Sequence, residues 1–282
     1  MPAPDRMLTF LRQAIVLARA TPGRRGRMIE PVGCTEVLVA GDLHGHVGHF
    51  QGLLKAADLA NNPGRHLVFQ ELIHGNYRYP TGGDKSHQLV DLFAALKAQF
   101  PRQVHYLPGN HELAQWTGRK VLKADADLNA AFEQGATAAY GPQFGPLVYQ
   151  TYLDLFKALP VALRTANRVL VSHSLPSARQ MSQFDPTRLL AAEYTDADLQ
   201  PGGSVHGVLW GRDVSPANVA DYLRRMVADL LVSGHIASDT GYSVPNDMQL
   251  IVDCAESPAA YVLFPADRPL THEELVASVR FL

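Results

Sequence analysis

Five short apolar runs in this chain each end in a side chain able to hold a metal ion or move a proton. Val37-Leu38-Val39-Ala40-Gly41 runs into Asp42 and His44, and His66-Leu67-Val68-Phe69 runs into Gln70-Glu71. Val104-His105-Tyr106-Leu107 leads to Pro108-Gly109-Asn110-His111-Glu112, Val169-Leu170-Val171-Ser172 to His173, and Leu230-Leu231-Val232-Ser233 to Gly234-His235. Apolar runs of this length, rich in β-branched residues, read as buried strands. Alternate side chains of a strand leave the same face, which lets Asp42 and His44 reach one ion together if the extended geometry persists through Leu43. One polar strand end is ordinary. Five of them bring carboxylate and imidazole groups to one edge of a sheet, and oxygen and nitrogen donors without thiolate suit Mn, Fe, Zn, Co or Ni. Two such ions a few ångströms apart can clamp the attacking and leaving oxygens of an in-line displacement. Carboxylate charge between them, or at each, is needed to offset the repulsion of two cations.

Donors at strand ends need a sheet to carry them, and the segments between the runs supply the other layers. Residues 47–60 have helical spacing in Phe50, Leu53, Leu54 and Ala57 and are closed by Asn61-Asn62-Pro63-Gly64. Asp84 or Ser86 is placed to cap a second helix over about 87–100. Strand, helix, strand, helix, strand is the pattern of a layered α/β sheet, whose ligands gather at the carboxyl ends of the strands. Residues 113–158 turn to Ala, Leu, Lys, Asp and aromatic side chains at helical spacing, broken at Gly141-Pro142 and Gly145-Pro146, and predict a helical insertion able to roof the site. Strands resume over 161–164 and 169–172. Residues 177–207 read as loop, leading through Val208-Leu209-Trp210 into Gly211-Arg212-Asp213, and a helix runs from 216 to about 228. Residues 242–244, 249–252 and 261–263 read as a closing antiparallel meander. Residues 271–281 read as a terminal helix, capped by Thr271 with Glu274 three residues on.

The 282 residues are 46% hydrophobic, enough for one large domain or a domain carrying an insertion. A formal net charge of −2 gives no basic stripe for nucleic acid and no electrostatic attraction to an acidic membrane. No apolar run is long enough to cross a bilayer. The two cysteines, Cys34 and Cys254, form no disulfide framework and read as reduced. In residues 1–27 Leu8, Leu11, Ile15 and Leu17 are interleaved with Arg6, Arg12 and Arg19, which predicts an amphipathic surface helix, no export and a cytoplasmic location. The basic Arg24-Arg25-Gly26-Arg27 run keeps a transit peptide as the weaker alternative.

The order Gly41-Asp42-Leu43-His44-Gly45, then Gly109-Asn110-His111-Glu112, then a strand into His173, then Gly234-His235, resembles the calcineurin-like metallophosphoesterases. Leu209-Trp210 and His235 followed by Gly241-Tyr242 are most similar to the branch of serine/threonine phosphoprotein phosphatases and bacterial diadenosine tetraphosphatases. The resemblance spans about residues 36–265. It implies an α/β fold of the two-sheet αββα sandwich kind, with the insertion at about 113–158 inside a single domain of residues 1–282. It also implies two divalent metal ions, Mn first, with Fe, Zn, Co or Ni as alternatives. Asp42, His44 and Glu71 would hold the first ion, and Glu71, Asn110, His173 and His235 the second. His111 would be the general acid at the leaving oxygen, its other reading being a ligand. Many members place a further His two residues after the last one. Here that position is Ala237, as in the phosphatase branch, where water fills the gap.

Two departures mark this chain. Where the family has Gly-Asp after the second strand it has Gln70-Glu71, one methylene longer, and Asp84 is the rival bridge. The family's Asp that orients the catalytic His and its Arg that grips phosphate are missing; His74 stands near the first, and the loop Asn76-Tyr77-Arg78-Tyr79 replaces the second. Arg78 or Arg212 would supply the grip, since a planar guanidinium suits phosphate oxygens, the other reading of both being surface or structural salt-bridge residues. His74 and Glu112 read as supporting residues, His46 and His49 as a solvated helix face, and His66, His87, His105, His206 and His272 as structural. The expected activity is hydrolysis of a phosphomonoester, on a small molecule or a protein, by in-line attack of a hydroxide held on the metal pair. The alternatives are a diadenosine polyphosphate or other phosphodiester substrate, and a non-catalytic scaffold that binds a phosphorylated ligand.

Overall fold

In the computed structural model, which describes residues 3–123 and 126–282, alternation along the strands sorts the apolar side chains into three clusters. Met1 and Pro2 of the expected N-terminal helix, and Ala124 and Asp125 of the expected insertion, lie outside the described residues. In chain order come α1 (Pro4–Arg19), β1 (Arg24–Arg25), β2 (Met28–Ile29), β3 (Glu36–Asp42), α2 (Val47–Ala57), β4 (Arg65–Gln70), α3 (His87–Gln99) and β5 (Val104–Leu107). Next are α4 (Asn110–Thr117), the paired β6 (Leu122–Lys123) and β7 (Ala126–Asp127), α5 (Leu128–Ala158), β8 (Ala162–Arg164) and β9 (Val169–Ser172). The remainder is α6 (Ala178–Met181), a 3-10 turn (Pro186–Leu190), α7 (Asp196–Leu199), α8 (Ser204–Trp210), α9 (Pro216–Met226), β10 (Leu230–Ser233), β11 (Tyr242–Asn246), β12 (Gln249–Val252), β13 (Ala260–Pro265), α10 (His272–Ala277) and β14 (Val279–Phe281).

Two sheets carry the architecture, one of five strands in the order β14-β13-β3-β4-β5 and one of seven in the order β1-β2-β8-β9-β10-β12-β11. Val37 and Val39 of β3 and Val68 of β4 meet Val169, Val171, Leu230, Val232, Leu250 and Val252 of the facing sheet in a shared core. Their alternate neighbours Leu38, Ala40, Leu67 and Phe69 point outward instead, onto a layer built from α1, α2, α3 and α5. Leu170 and Leu231 face outward on the second sheet, beneath Val208, Leu209, Val219 and Tyr222 of α8 and α9. Period-two alternation thus produces helix, sheet, sheet, helix in layers, the αββα expectation. Arg24 and Arg27 belong to this packing: Arg24 donates to the carbonyls of Ala18 and Ala158, and Arg27 to those of Lys157 and Leu159, so both close helix C-termini. Both cysteines are free thiols. Among the described residues no helix is long and apolar enough to cross a membrane.

Several local expectations are corrected. Residues 177–210 hold α6, the 3-10 turn, α7 and α8, so Val208, Leu209 and Trp210 finish a helix instead of following a loop. The meander is split between sheets: β11 and β12 pair antiparallel, but β12 lies parallel to β10, while β13 pairs with β3 in the other sheet. The terminal helix stops at Ala277, and Val279–Phe281 leaves it to pair antiparallel with β13. Within α5 only the first expected break is real: Gly141 has φ 77°, while Gly145-Pro146 continues as helix.

The sheets position the site through strand direction. β3, β4 and β5 run parallel to one another, as do β9, β10 and β12. Asp42 bridges to Asp253, and the Cys254 N–H donates to the Asp42 carbonyl at 3.1 Å, stitching the two sheets together at the edge where these strands end.

Candidate metal centre and active site

Immediately after the strands the backbone turns sharply. His44, Glu71 and His235 adopt left-handed conformations with φ of 40°, 33° and 67°, a cost that functional sites commonly carry. The turns aim their side chains at a common point. His173 Nε2 lies 3.2 Å from Asn110 Oδ1, 3.1 Å from His235 Nδ1 and 3.7 Å from Glu71 Oε2. His173 Nδ1 is 3.4 Å from Asp42 Oδ1, and His44 Nε2 is 3.5 Å from Glu71 Oε2. Donor atoms about 2.1 Å from one ion sit roughly 3 to 3.5 Å apart, so the spacings around His173 Nε2 and between His44 and Glu71 are those of neighbours around a cation. Two donor triplets emerge, His44/Glu71/His111 and Asp42/Glu71/His173, each with all its atoms within 4.8 Å, and Glu71 belongs to both.

The electrostatics call for positive charge. Burial works to raise the Asp42 carboxyl, yet His173, His44 and His235 hold it below the ordinary carboxylate range. Glu71 goes the other way: burial first, then Asp42 and Glu112, push it well above that range. Neither acid pairs with a lysine or arginine among the described residues. Among the described residues, Asp42 Oδ1 and His173 Nδ1 make no hydrogen bond, only their 3.4 Å ion-pair contact with each other, and His235 Nε2 is buried without a partner, although buried polar atoms are ordinarily satisfied. Two carboxylates, three imidazoles and an amide converging at these spacings fit divalent cations. Two glycines make the room. A Cβ at position 109 would meet Glu71 Oε1 at 2.1 Å, and one at 234 would meet Asp42 Oδ1 at 2.3 Å. The longer Glu71 is thus accommodated against a bare stretch of backbone.

His111 lies beside this centre on α4, its N–H donating to Glu71 Oε1 at 2.8 Å. Its Nδ1 is 2.6 Å from Nδ1 of His74, whose Nε2 is 2.8 Å from Gln115 Oε1. Burial, then His74, His44 and His173, lower the His111 imidazole to about 2. His235 is lowered to about 3, chiefly by burial and His173, and His74 to about 4 by burial. An anionic group entering the cavity favours the His111 imidazolium again. Glu112 ties the exits of β4 and β5 together: its carboxylate accepts from the N–H groups of Leu72 (3.0 Å), Ile73 (3.2 Å) and Gly109 (2.7 Å).

A model of the calcineurin-like phosphoesterases matches residues 35–239, most of the chain and every donor from Asp42 to His235. The chain belongs to the calcineurin-like phosphoesterase family. A probable serine/threonine-protein phosphatase of Encephalitozoon cuniculi is 27% identical over 232 residues, 74% of this chain and 44% of that protein. The serine/threonine-protein phosphatase BSL2 of Arabidopsis thaliana is 27% identical over 139 residues, 49% of this chain and 12% of that one. The chain therefore spans less than half the length of either relative. Among solved structures, a protein serine/threonine phosphatase from Saccharomyces cerevisiae superposes with a TM-score of 0.68 at 17% identity, covering 93% of this chain and 82% of that one. A cold-active protein-tyrosine phosphatase of a Shewanella species gives 0.59 at 15%, covering 91% and 82%. These two likenesses are of fold.

The donors open on a cavity of about 220 Å³, lined by Asp42, His44, Glu71, Asn110, His111, Arg212, His235, Ala237, Asp253 and Ala255. Arg212 is therefore at the site, anchored by one Nη1 hydrogen bond of 3.1 Å to the His235 carbonyl. Arg78 is not. Its Nη1 lies 3.3 Å from Asp84, a fully buried carboxylate that also accepts from the Ser86 N–H at 2.8 Å. The rival bridge and the rival phosphate grip are each other's partner, outside the cavity lining. His46 and His49 are stacked at 3.4 Å, with His49 nearly buried and its Nδ1 2.7 Å from the Cys254 carbonyl, so they are not a solvated face. Asp253 is the residue sequence reasoning missed. It lines the cavity, and burial raises its carboxyl even though it accepts from the N–H groups of Ser238 and Ala255 at 2.9 Å each. The available signal was its place, the first residue after β12.

Proposed function

We propose that this chain is a metal-dependent phosphatase that hydrolyses phosphomonoesters, those on phosphorylated protein included, with two divalent cations of which manganese is the first candidate. The observation that carries the reading is the central place of Glu71, whose Oε2 lies 3.5 Å from His44 Nε2 and 3.7 Å from His173 Nε2, within donor reach of Asp42, in the lining of one cavity. Asp42, His44 and Glu71 would hold one cation, and Glu71, Asn110, His173 and His235 the other. Such a pair supplies charge neutralisation on the phosphoryl oxygens and an activated water. His111 donates a proton to the leaving oxygen as its bond to phosphorus breaks. Arg212 grips a phosphoryl oxygen through the guanidinium nitrogens that its bond to His235 leaves free. The serine/threonine-phosphatase relatives favour a phosphoprotein substrate. Two free cysteines fit a reducing, cytoplasmic setting.

The test is turnover of p-nitrophenyl phosphate, a phosphoserine peptide and bis-p-nitrophenyl phosphate by the purified chain, with manganese and with chelator. Metal-dependent release of phosphate from the two monoesters, faster than from the diester, is expected. Silence of a folded, manganese-loaded protein on all three overturns the reading.

A further inference from the structure

We infer that Gln115 is a positioning residue that decides which nitrogen of His111 carries the transferable proton, acting through His74. The inference rests on the phosphatase reading above and on a directed chain of hydrogen bonds. Gln115 and His111 are four residues apart on α4 and so share a helix face. The His74 ring is clamped between them, one nitrogen to each. Gln115 is itself buried, and its amide nitrogen lies 3.3 Å from the Asn129 carbonyl and 2.7 Å from the Tyr149 hydroxyl.

A backbone carbonyl can only accept, so the Gln115 nitrogen faces Asn129 and its oxygen faces His74. His74 then carries its proton on Nε2 and offers a bare Nδ1. Across 2.6 Å that lone pair accepts Nδ1–H of His111, leaving His111 Nε2 as the nitrogen that exchanges a proton in the cavity.

This polarity matches the proton bookkeeping of ester cleavage. Water oxygen forms the new bond to phosphorus, the leaving oxygen takes the electron pair of the old bond, and His111 Nε2 gives it a proton. The His111 that remains is the neutral Nδ1–H form, the tautomer His74 is arranged to accept from. With the Gln115 amide reversed, two carbonyls would oppose each other and His74 would donate to His111 Nδ1. His111 would then have to surrender its only proton. A fixed backbone carbonyl in α5 thereby sets the direction of the relay through an amide and an imidazole.

The Gln115→Leu variant removes the acceptor, and Gln115→Glu restores one. Wild type and both variants, loaded with zinc as a diamagnetic cation, are compared on phenyl phosphate, whose leaving group needs a proton, and 2,4-dinitrophenyl phosphate, whose leaving group does not. For Gln115→Leu, kcat on phenyl phosphate falls roughly 10- to 100-fold, while that on dinitrophenyl phosphate falls less than about 2-fold and KM holds for both. Gln115→Glu recovers most of the phenyl phosphate rate. Nitrogen-15 spectra of the histidine rings supply a readout independent of turnover: His74 as the Nε2–H tautomer and His111 as Nδ1–H in wild type, both mixed in Gln115→Leu. Equal losses on the two esters, or wild-type rings in the opposite tautomers, overturn the inference. If wild type cleaves neither ester the phosphatase reading fails by itself, and the ring tautomers alone then decide whether Gln115 directs the relay.

Discussion

Replacing Glu71 by glutamine should strengthen the metal-free protein and ruin the metal-bound one. Glu71 is 1% exposed, and the carboxylate oxygens it and Asp42 offer lie within 4.8 Å of each other. At an effective dielectric constant of about 20, two unit charges at that distance repel by roughly 3 kcal/mol. Glutamine has the same shape, keeps an oxygen for the His111 N–H, and needs no more room beside Gly109 than glutamate does. Part of the relief is already taken in the metal-free wild type, since burial, Asp42 and Glu112 push Glu71 toward its protonated form. The net gain in chelator is therefore about 1–3 kcal/mol, a rise in Tm of several degrees for a chain of this size. With manganese the order reverses. Wild type gains about 2.7 kcal/mol when metal stands at 100 times its Kd, whereas Glu71→Gln has lost the one charge common to both donor triplets. Its metal-induced Tm shift should be small, and turnover of p-nitrophenyl phosphate should drop at least about 100-fold, the upper end of what loss of an outer-sphere partner costs. Thermal unfolding with and without manganese, with metal analysis and turnover on the same samples, checks all three. A Glu71→Gln protein less stable than wild type in chelator refutes the repulsion argument, and one that binds and turns over like wild type refutes the bridging role.

Arg212→Ala should raise KM for an aryl phosphate by roughly 10- to 100-fold with a smaller change in kcat, measured in steady-state kinetics, because a charge-assisted contact to phosphate is worth about 1.5–3 kcal/mol. Arg78→Ala should leave KM unchanged and lower stability to denaturant by about 2–4 kcal/mol, since it strands the buried Asp84; Asp84→Asn added to it should recover part of the loss. The buried pair His66–His105, with ring nitrogens 2.8 Å apart, should contribute to acid lability. Burial, then Lys97, lowers His66 to about 4, below its ordinary value of 6.5, so its share of stability is complete above pH 6.5 and is lost as pH falls toward 4. Linkage puts the cost near 2 kcal/mol at pH 5, and a His66→Leu/His105→Leu variant should show a correspondingly shallower loss between pH 7 and 5 in denaturant titrations.

What could be read from the chain followed the range of the physics involved. Strand alternation is local, so β3, β4, β5, β9 and β10 and the side chains that follow them were legible one segment at a time. Parallel strands deliver their ends to one edge within each sheet, but that β3, β4 and β5 belong to one sheet and β9 and β10 to another, with the two edges meeting at Asp42 and Asp253, is not written in any one segment. Sheet membership is not local. Nothing in residues 242–265 tells β12 to sit beside β10 and β13 to cross to β3, and nothing in Val279–Phe281 announces that an edge strand awaits it. Asp253 went unseen for that reason, an Asp after a hairpin strand being ordinary turn chemistry. α8 was hidden by its length and by the Pro201-Gly202-Gly203 ahead of it, although Val205, Val208 and Leu209 keep helical spacing and fill the outer core. Arg78 and Asp84 lie in a loop without periodicity, and Asp84 is buried by packing under α5, with its N–H on the Ala131 carbonyl and its own carbonyl against Gly135. Gln115 has the same cause: its role depends on Asn129 and Tyr149, brought over α4 by a helix whose placement no short window of sequence encodes.

The central claim, two cations sharing Glu71, is tested most directly by anomalous scattering from manganese-loaded crystals. Two peaks are predicted, one within bonding distance of Asp42, His44 and Glu71, the other of Glu71, Asn110, His173 and His235. No peak at these residues in a manganese-loaded protein, or two ions with Glu71 touching neither, would contradict it.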